Sequence, residues 1–356
     1  MLKKAVPLSS LPIGEPIAQS IFDGRDRLLL KQGSILTQSF IARLESNDID
    51  SVFIAVEIKE TPKNKAKSIK SKFIPPNFHT LYDELLYEQD RIELRGNYIK
   101  PIQTELLTEI NGLIELIKID PEMSLDFFMK MKSSQTDYQY DTHHVNSAIL
   151  AILIGIWLDL DSRLLKEITV TAMLHDIGET RIPPDILKKP GKLNDSELNI
   201  VKTHPTLGTQ ILSKTDWINN RELYGVLTHH ERLNGQGYPY NLLGSKITIH
   251  SRVTAVASIF NTATTDRPYS RAKNIIDILL ELRNRSFGEL DSKVTRVLYD
   301  KILEYLQKNE KIILLNNGDK GHLKRINIKG PKLLITGENG VYDLDDINAP
   351  KIISIS

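Results

Sequence analysis

At 356 residues the chain is about two to three typical domains long, with ample length for a full-sized core. Its 40% hydrophobic and 26% charged residues, 46 basic against 45 acidic, exclude wholesale disorder, a collagen-like repeat and an acidic solvating tail. A net charge of +1 gives no global pull toward a nucleic-acid polymer or an anionic membrane. Cysteine is absent, which removes disulfides, thiolate zinc sites and cysteine nucleophiles together, so any metal has to be held by carboxylates and the nine histidines.

Residues 1–57 read as a small β-rich domain, with strands at Ala5-Val-Pro-Leu, Pro16-Ile-Ala-Gln-Ser-Ile, Arg27-Leu-Leu-Leu and Ser51-Val-Phe-Ile-Ala-Val, and turns at Asp23-Gly24 and Gln32-Gly33. Within it the spacing predicts a helix over 37–47, capped by Thr37, with Phe40, Ile41 and Leu44 on one face. A lysine-rich linker spans 58–76; lysines without interleaved aromatics read as a solvated tether. Residues 77–135 form a helical connector, carrying Leu81, Leu85 and Leu86 and then Leu106, Leu107, Ile110, Leu113, Ile114 and Ile117; such a pair suits docking or a homodimer seam. Helices continue over 136–308, interrupted by a Gly/Pro-rich loop at 234–244, and 309–356 change to a β appendage of short β-branched runs parted by Asn316-Asn-Gly, Lys329-Gly-Pro and Glu338-Asn-Gly. The fold class is mainly α. Pro7, Pro12 and Pro16 interrupt the N-terminus before an apolar run of signal-peptide length forms, and the longest apolar run, 148–158, is too short for a bilayer. The expectation is a cytoplasmic protein with no membrane insertion.

The helical block concentrates His143, His175 with Asp176, His204, and His229 with His230. His175-Asp176 ends an apolar helix pattern (Leu164, Leu165, Ile168, Ala172, Met173, Leu174), where an ionisable pair is costly unless something compensates it. A metal would do so, with one oxygen of Asp176 free to bridge to a second ion. Imidazole and carboxylate without sulfur suit iron, manganese, zinc or nickel and argue against calcium or magnesium. Two such ions about 4 Å apart hydrolyse phosphate esters by activating a bridging water and neutralising phosphate charge.

The blocks His143-His-Val-Asn, Leu174-His-Asp-Ile-Gly, Arg181-Ile-Pro-Pro-Asp-Ile-Leu-Lys-Lys-Pro-Gly-Lys-Leu, Lys202-Thr-His-Pro-Thr-Leu-Gly, His229-His-Glu-Arg-Leu-Asn-Gly-Gln-Gly-Tyr-Pro and Asp266-Arg-Pro-Tyr resemble, in order and spacing, the HD-GYP subgroup of the HD hydrolase superfamily. Its members are metal-dependent phosphodiesterases of cyclic di-GMP. The resemblance implies an HD-type helical bundle over 136–308 holding one or two divalent ions, iron or manganese before zinc or nickel. Its ligands would be His143, His175, Asp176, His204, His229 and His230, with Asp176 bridging. Gly235, Gly237, Tyr238 and Pro239 would form the substrate-side loop and Arg267 would meet phosphate or a guanine edge; cyclic di-GMP and signalling proteins are the implied partners.

Four departures from the family pattern stand beside the matches. Ser258 replaces the last ligand aspartate, and Glu179 replaces a lysine thought to contact substrate phosphate. Asn234 and Asn261 stand where aspartates are usual, and Gln139 where a third-metal glutamate occurs. Glu179 beside a phosphate repels it, unless the side chain turns inward as a substitute ligand. Two functions are therefore expected from these residues: a phosphodiesterase opening cyclic di-GMP to linear pGpG or GMP, in which Asp176 serves catalysis, or a degenerate domain that binds cyclic di-GMP or a protein partner without turnover. Hydrolysis of another phosphoester is a third.

Overall fold

A computed structural model describes residues 2–7, 17, 20–22, 28–31, 33–46, 49, 51–56, 99–134, 140–265, 272–327, 331–337, 339–344, 346 and 348–355. The linker over 58–76, Leu81, Leu85, Leu86, Asp23-Gly24, Gln139, Lys329-Gly330 and Arg267 with its Asp266-Arg-Pro-Tyr string lie outside them. The chain divides into two compact units, Met1–Ile119 and Asp120–Ser356.

In the first unit, β1 (Leu2–Pro7) pairs antiparallel with β4 (Ser51–Val56), and β2 (Ile21–Phe22) with β3 (Leu28–Leu30) across a register shift. Helix α1 (Gln38–Glu45) starts where Thr37 accepts a hydrogen bond from the Phe40 amide, 3.2 Å. Its buried face, Phe40, Ile41 and Leu44, joins Ile17, Leu29, Leu30, Leu36 and Val52 in one apolar cluster. Gly33, at φ +90°, takes the left-handed turn that lets its amide reach the Ile17 carbonyl. Helix α2 (Ile99–Ile119) buries Leu106, Ile110, Leu113, Ile114 and Ile117, the stripe expected from their spacing.

The second unit is a helical bundle followed by a β-sheet. Asp120 caps α3 (Pro121–Ser134) through the Met123 amide, 2.8 Å. Helix α4 (Tyr140–Trp157) has every residue from Ala148 to Ile154 buried; a helix apolar on all sides belongs at the centre of a bundle. It packs on α5 (Ser162–Leu174) and α10 (Ile249–Ala263). Between these two in sequence come a 3-10 turn at Ile177–Arg181, α6 (Pro184–Leu187), α7 (Asp195–Val201), α8 (His204–Leu212) and α9 (Asn220–Thr228). Helices α11 (Ile275–Arg285) and α12 (Ser292–Lys308) complete the bundle. The appendage is a five-stranded antiparallel sheet, order β8-β7-β6-β5-β9, made of β5 (Ile312–Leu315), β6 (Lys320–Asn327), β7 (Pro331–Gly337), β8 (Val341–Asp343) and β9 (Ile352–Ile355). Strand β8 is not foreseen by hydrophobic runs, because two of its three residues are a tyrosine and an aspartate. Among the described residues no helix is long and apolar enough to cross a membrane.

Helix α9 begins with a reciprocal capping box: the Asn219 amide donates to Glu222 at 2.8 Å and the Glu222 amide donates to Asn219 at 3.1 Å. Burial pushes the Glu222 carboxyl up from 4.5 to about 7, against the Asn219 hydrogen bond and with nearby Glu167 adding to the rise. The folded chain therefore holds a proton between pH 4.5 and 7 that the unfolded chain has released, and stability falls as pH rises through that window. Glu222→Gln keeps an acceptor for the box and removes the titration. Urea unfolding of variant and wild type should show the variant gaining about 1–2 kcal/mol relative to wild type between pH 5 and pH 7.5, a discounted value because the site is partly solvated. Parallel pH profiles for the two proteins would refute the assignment.

Candidate metal centre and substrate-side loop

The six residues singled out as ligands come together. Asp176, His204, His229 and His230 form one group with ligand atoms within 4.8 Å of one another, and His143, His175 and Asp176 form a second. Asp176 belongs to both. Its Oδ2 stands 3.1 Å from His175 Nε2 and 3.4 Å from His143 Nε2; its Oδ1 stands 3.2 Å from His204 Nε2 and 3.3 Å from His229 Nε2.

Local structure explains the convergence. His175 is the C-cap of α5, His229 the C-cap of α9, and His204 the first residue of α8. At each the ring turns back on its own chain: Nδ1 meets the carbonyl three residues earlier, of Ala172 at 2.8 Å, Val201 at 2.7 Å and Val226 at 2.6 Å. A carbonyl only accepts, so each Nδ1 carries its hydrogen and each neutral ring presents the Nε2 lone pair to the centre. His143 lies on α4 with Asn261 of α10 against it; the Asn261 amide nitrogen reaches the His143 carbonyl at 2.8 Å, His143 Nδ1 at 3.0 Å and Ser147 Oγ at 3.1 Å. Ser258, half-buried, is one helical turn before Asn261 on α10.

Electrostatics follow from this crowding. Burial pushes the Asp176 carboxyl up, but the His175 charge and contacts from His143, His175 and His204 hold it well below the usual carboxylate range. Burial, with the charges of His175 and His204, brings His229 down to about 4 despite Asp176. Burial, then the charges of His229 and His204, push His230 well down. In His204 burial acts downward, yet Asp176 and then Glu179 raise it. An ionised Asp176 beside His229 and His230 held toward the neutral form matches the protonation states that a divalent ion requires of those groups. Asp176 Oδ1, moreover, is buried and makes no hydrogen bond, although two ring nitrogens are within 3.3 Å. Lone pairs facing a carboxylate oxygen repel unless a cation lies among them, so the donor set fits a metal ion.

The loop over 231–243 lies beside the group that contains His204, His229 and His230. Tyr238 stacks on His230, ring centroids 4.5 Å apart and planes 16° apart, and Lys202 Nζ stands 5.7 Å from the Tyr238 ring centre. Burial followed by Asp176 keeps the Tyr238 phenol protonated. Gly235 adopts φ +77°. At Gly237 an added Cβ would lie 2.4 Å from the Arg232 nitrogen and 2.5 Å from the His230 carbonyl, so this glycine lets the loop close on its own chain. Glu179, in the 3-10 turn, is outside both ligand groups; its charge reaches His204 and Tyr238. Sequence reasoning overlooked Lys202 and Glu231 in their roles at this site, since neither a lone lysine nor a glutamate beside a histidine pair carries a signal of its own.

Residues 123–294 match the family model described as an HD domain. They form an HD domain. The chain is 30% identical over 201 residues to a cyclic di-GMP phosphodiesterase of Pseudomonas aeruginosa, covering 56% of this chain and 45% of that protein. It is 35% identical over 240 residues to the 3'3'-cGAMP-specific phosphodiesterase 1 of Vibrio cholerae, 64% of this chain and 52% of that one. A cyclic di-GMP phosphodiesterase of Thermotoga maritima shares 33% over 186 residues, 52% and 48% of the two chains. The chain thus spans about half the length of these relatives. Among solved structures, an HDG"Y"P protein from Bdellovibrio bacteriovorus superposes with a TM-score of 0.52 at 16% identity, over 85% of this chain and 100% of that one; the likeness concerns the fold of the HD domain and its flanks.

Proposed function

We propose that the chain is a metal-dependent phosphodiesterase of 3',3' cyclic dinucleotides, cyclic di-GMP first among them, acting in the cytoplasm. The observation that carries this reading is the division of Asp176 between two pairs of imidazoles, with its Oδ1 buried and lacking a hydrogen-bond partner. Asp176, His204, His229 and His230 would hold one divalent ion, and His143, His175 and Asp176 a second, iron or manganese by ligand type. When bound, such ions supply an activated water and neutralise phosphate charge. The protein's own residues do the rest: Asp176 fixes the two halves of the centre together, Tyr238 walls the side next to His230, and Lys202 brings a cation to that wall. The 1–57 module, with the 77–135 connector, serves as the input side of a signalling protein.

A second reading, a receptor without turnover, is favoured by Glu179, an anion within electrostatic reach of His204 and Tyr238, and by a serine at 258 in place of a carboxylate. One assay separates the two. Purified chain with manganese is incubated with cyclic di-GMP and with 3',3'-cGAMP; linear product supports the enzyme, whereas tight binding without product overturns it. Ser258→Asp combined with Glu179→Lys should raise both metal content and rate, the latter about tenfold or more, since a charge reversal near phosphate is worth roughly 1–4 kcal/mol at close range. Unchanged values for both would mean that these two positions do not face the centre.

A further inference from the structure

Glu231 directly follows the metal-ligand pair His229-His230, yet it belongs to neither ligand group. It is 3% exposed, and both of its carboxylate oxygens are engaged. The Tyr240 amide donates to Oε1 at 2.6 Å and the Leu242 amide donates to Oε2 at 2.9 Å. These two amides belong to the far side of the substrate-side loop. Their capture folds 235–243 back on the end of α9, where the Tyr238 amide also reaches the His230 carbonyl at 3.3 Å and Gly237 has room only for hydrogen. Tyr238, in the middle of the folded segment, then has its ring on His230.

We infer that Glu231 is the positioning residue of the substrate-side loop: its forked pair of acceptors sets where Tyr238 stands over the metal ligand, and with it the affinity for the cyclic dinucleotide. The chemistry selects a carboxylate. Two amides converge on one side chain, and two N–H donors require two acceptor oxygens. Glutamine has the same shape but offers one oxygen, and its NH2 would confront the other amide donor. Aspartate keeps both acceptors one methylene shorter. Other contacts hold the base and middle of the loop: Arg232 donates to the His229 and Glu231 carbonyls, the Leu233 amide to the Glu289 carbonyl, the Gly244 amide to the Leu233 carbonyl, and Asn241 Nδ2 to the Gly237 carbonyl, beside a bridge between Asn234 and Leu243. Glu231 is the side chain that takes up the Tyr240 and Leu242 amides.

The inference rests on the proposed function only for the identity of the ligand, so the test has one arm that needs no substrate. Full-length wild type, Glu231→Gln and Glu231→Asp, loaded with manganese, are compared by amide hydrogen exchange, metal content and binding of cyclic di-GMP and 3',3'-cGAMP. In Glu231→Gln the Tyr240 and Leu242 amides should exchange about 10- to 100-fold faster, the loss expected for charge-assisted bonds to a buried carboxylate. Metal per chain should stay unchanged, and dinucleotide affinity should fall about tenfold, through KM rather than kcat where turnover is present. Glu231→Asp should lie between the two. Exchange at Tyr240 and Leu242 equal to wild type, or faster exchange with unaltered affinity, overturns the inference. A wild type that binds neither dinucleotide refutes the proposed ligand instead and leaves the exchange arm to decide the clamp. Loss of metal in Glu231→Gln would assign Glu231 to the metal centre and overturn a purely positioning role.

Discussion

Asp176→Asn is expected to abolish metal retention and to lower hydrolysis by about a thousandfold or more, because one substitution removes a ligand from both groups. The carboxylate faces paired imidazoles on each side, Oδ2 toward His143 and His175 and Oδ1 toward His204 and His229. An asparagine presents one neutral oxygen to one pair and an NH2 to the other, so it cannot serve both. The fold should survive, since asparagine keeps the shape of the side chain, although the imidazole contacts that favour the ionised carboxylate are lost. Metal analysis, turnover and thermal unfolding of the same preparation check all three statements. A variant that keeps its metal and rate would show that Asp176 is not at the heart of the centre.

The second large effect is on stability. Gly178→Ala is expected to cost about 3 kcal/mol or more, at the severe end of overpacking. A Cβ at 178 would sit 2.0 Å from the His204 carbonyl and 2.4 Å from the Gly208 nitrogen. Both are backbone atoms of α8, so no side chain can swing aside. The helix would have to move bodily, and it is the helix whose first residue is His204. The expected result is a fall in melting temperature of about 10 °C for a unit of this size, with loss of metal from the group containing His204. A variant with wild-type stability would mean that the 3-10 turn and α8 lie further apart than described.

These two positions show what was legible in advance. The motif blocks pointed to the six residues at the centre, and the hydrophobic periods of α1, α2 and α5 pointed to the buried faces the structure displays. The ring orientations were not legible, because they depend on carbonyls that become acceptors only where helices end, at Ala172, Val201 and Val226. Glu231 was hidden for a related reason: its partners are backbone amides of Tyr240 and Leu242, and backbone donors leave no mark in composition. Gly178 was visible as part of a motif, but its contact is with a helix 26 residues later, His204, a distance that local pattern does not bridge. Arg267 and the lysine tether, both legible as chemistry, fall outside the described residues.

The centre draws its nitrogen and oxygen atoms from α4, the end of α5, the start of α8 and the end of α9. An ion held there would act as a removable tie among four helices of the bundle, adding its binding free energy to the native state. Heat resistance of the helical unit would then follow the supply of free metal in its surroundings, and a chelator would soften the bundle before any substrate is present.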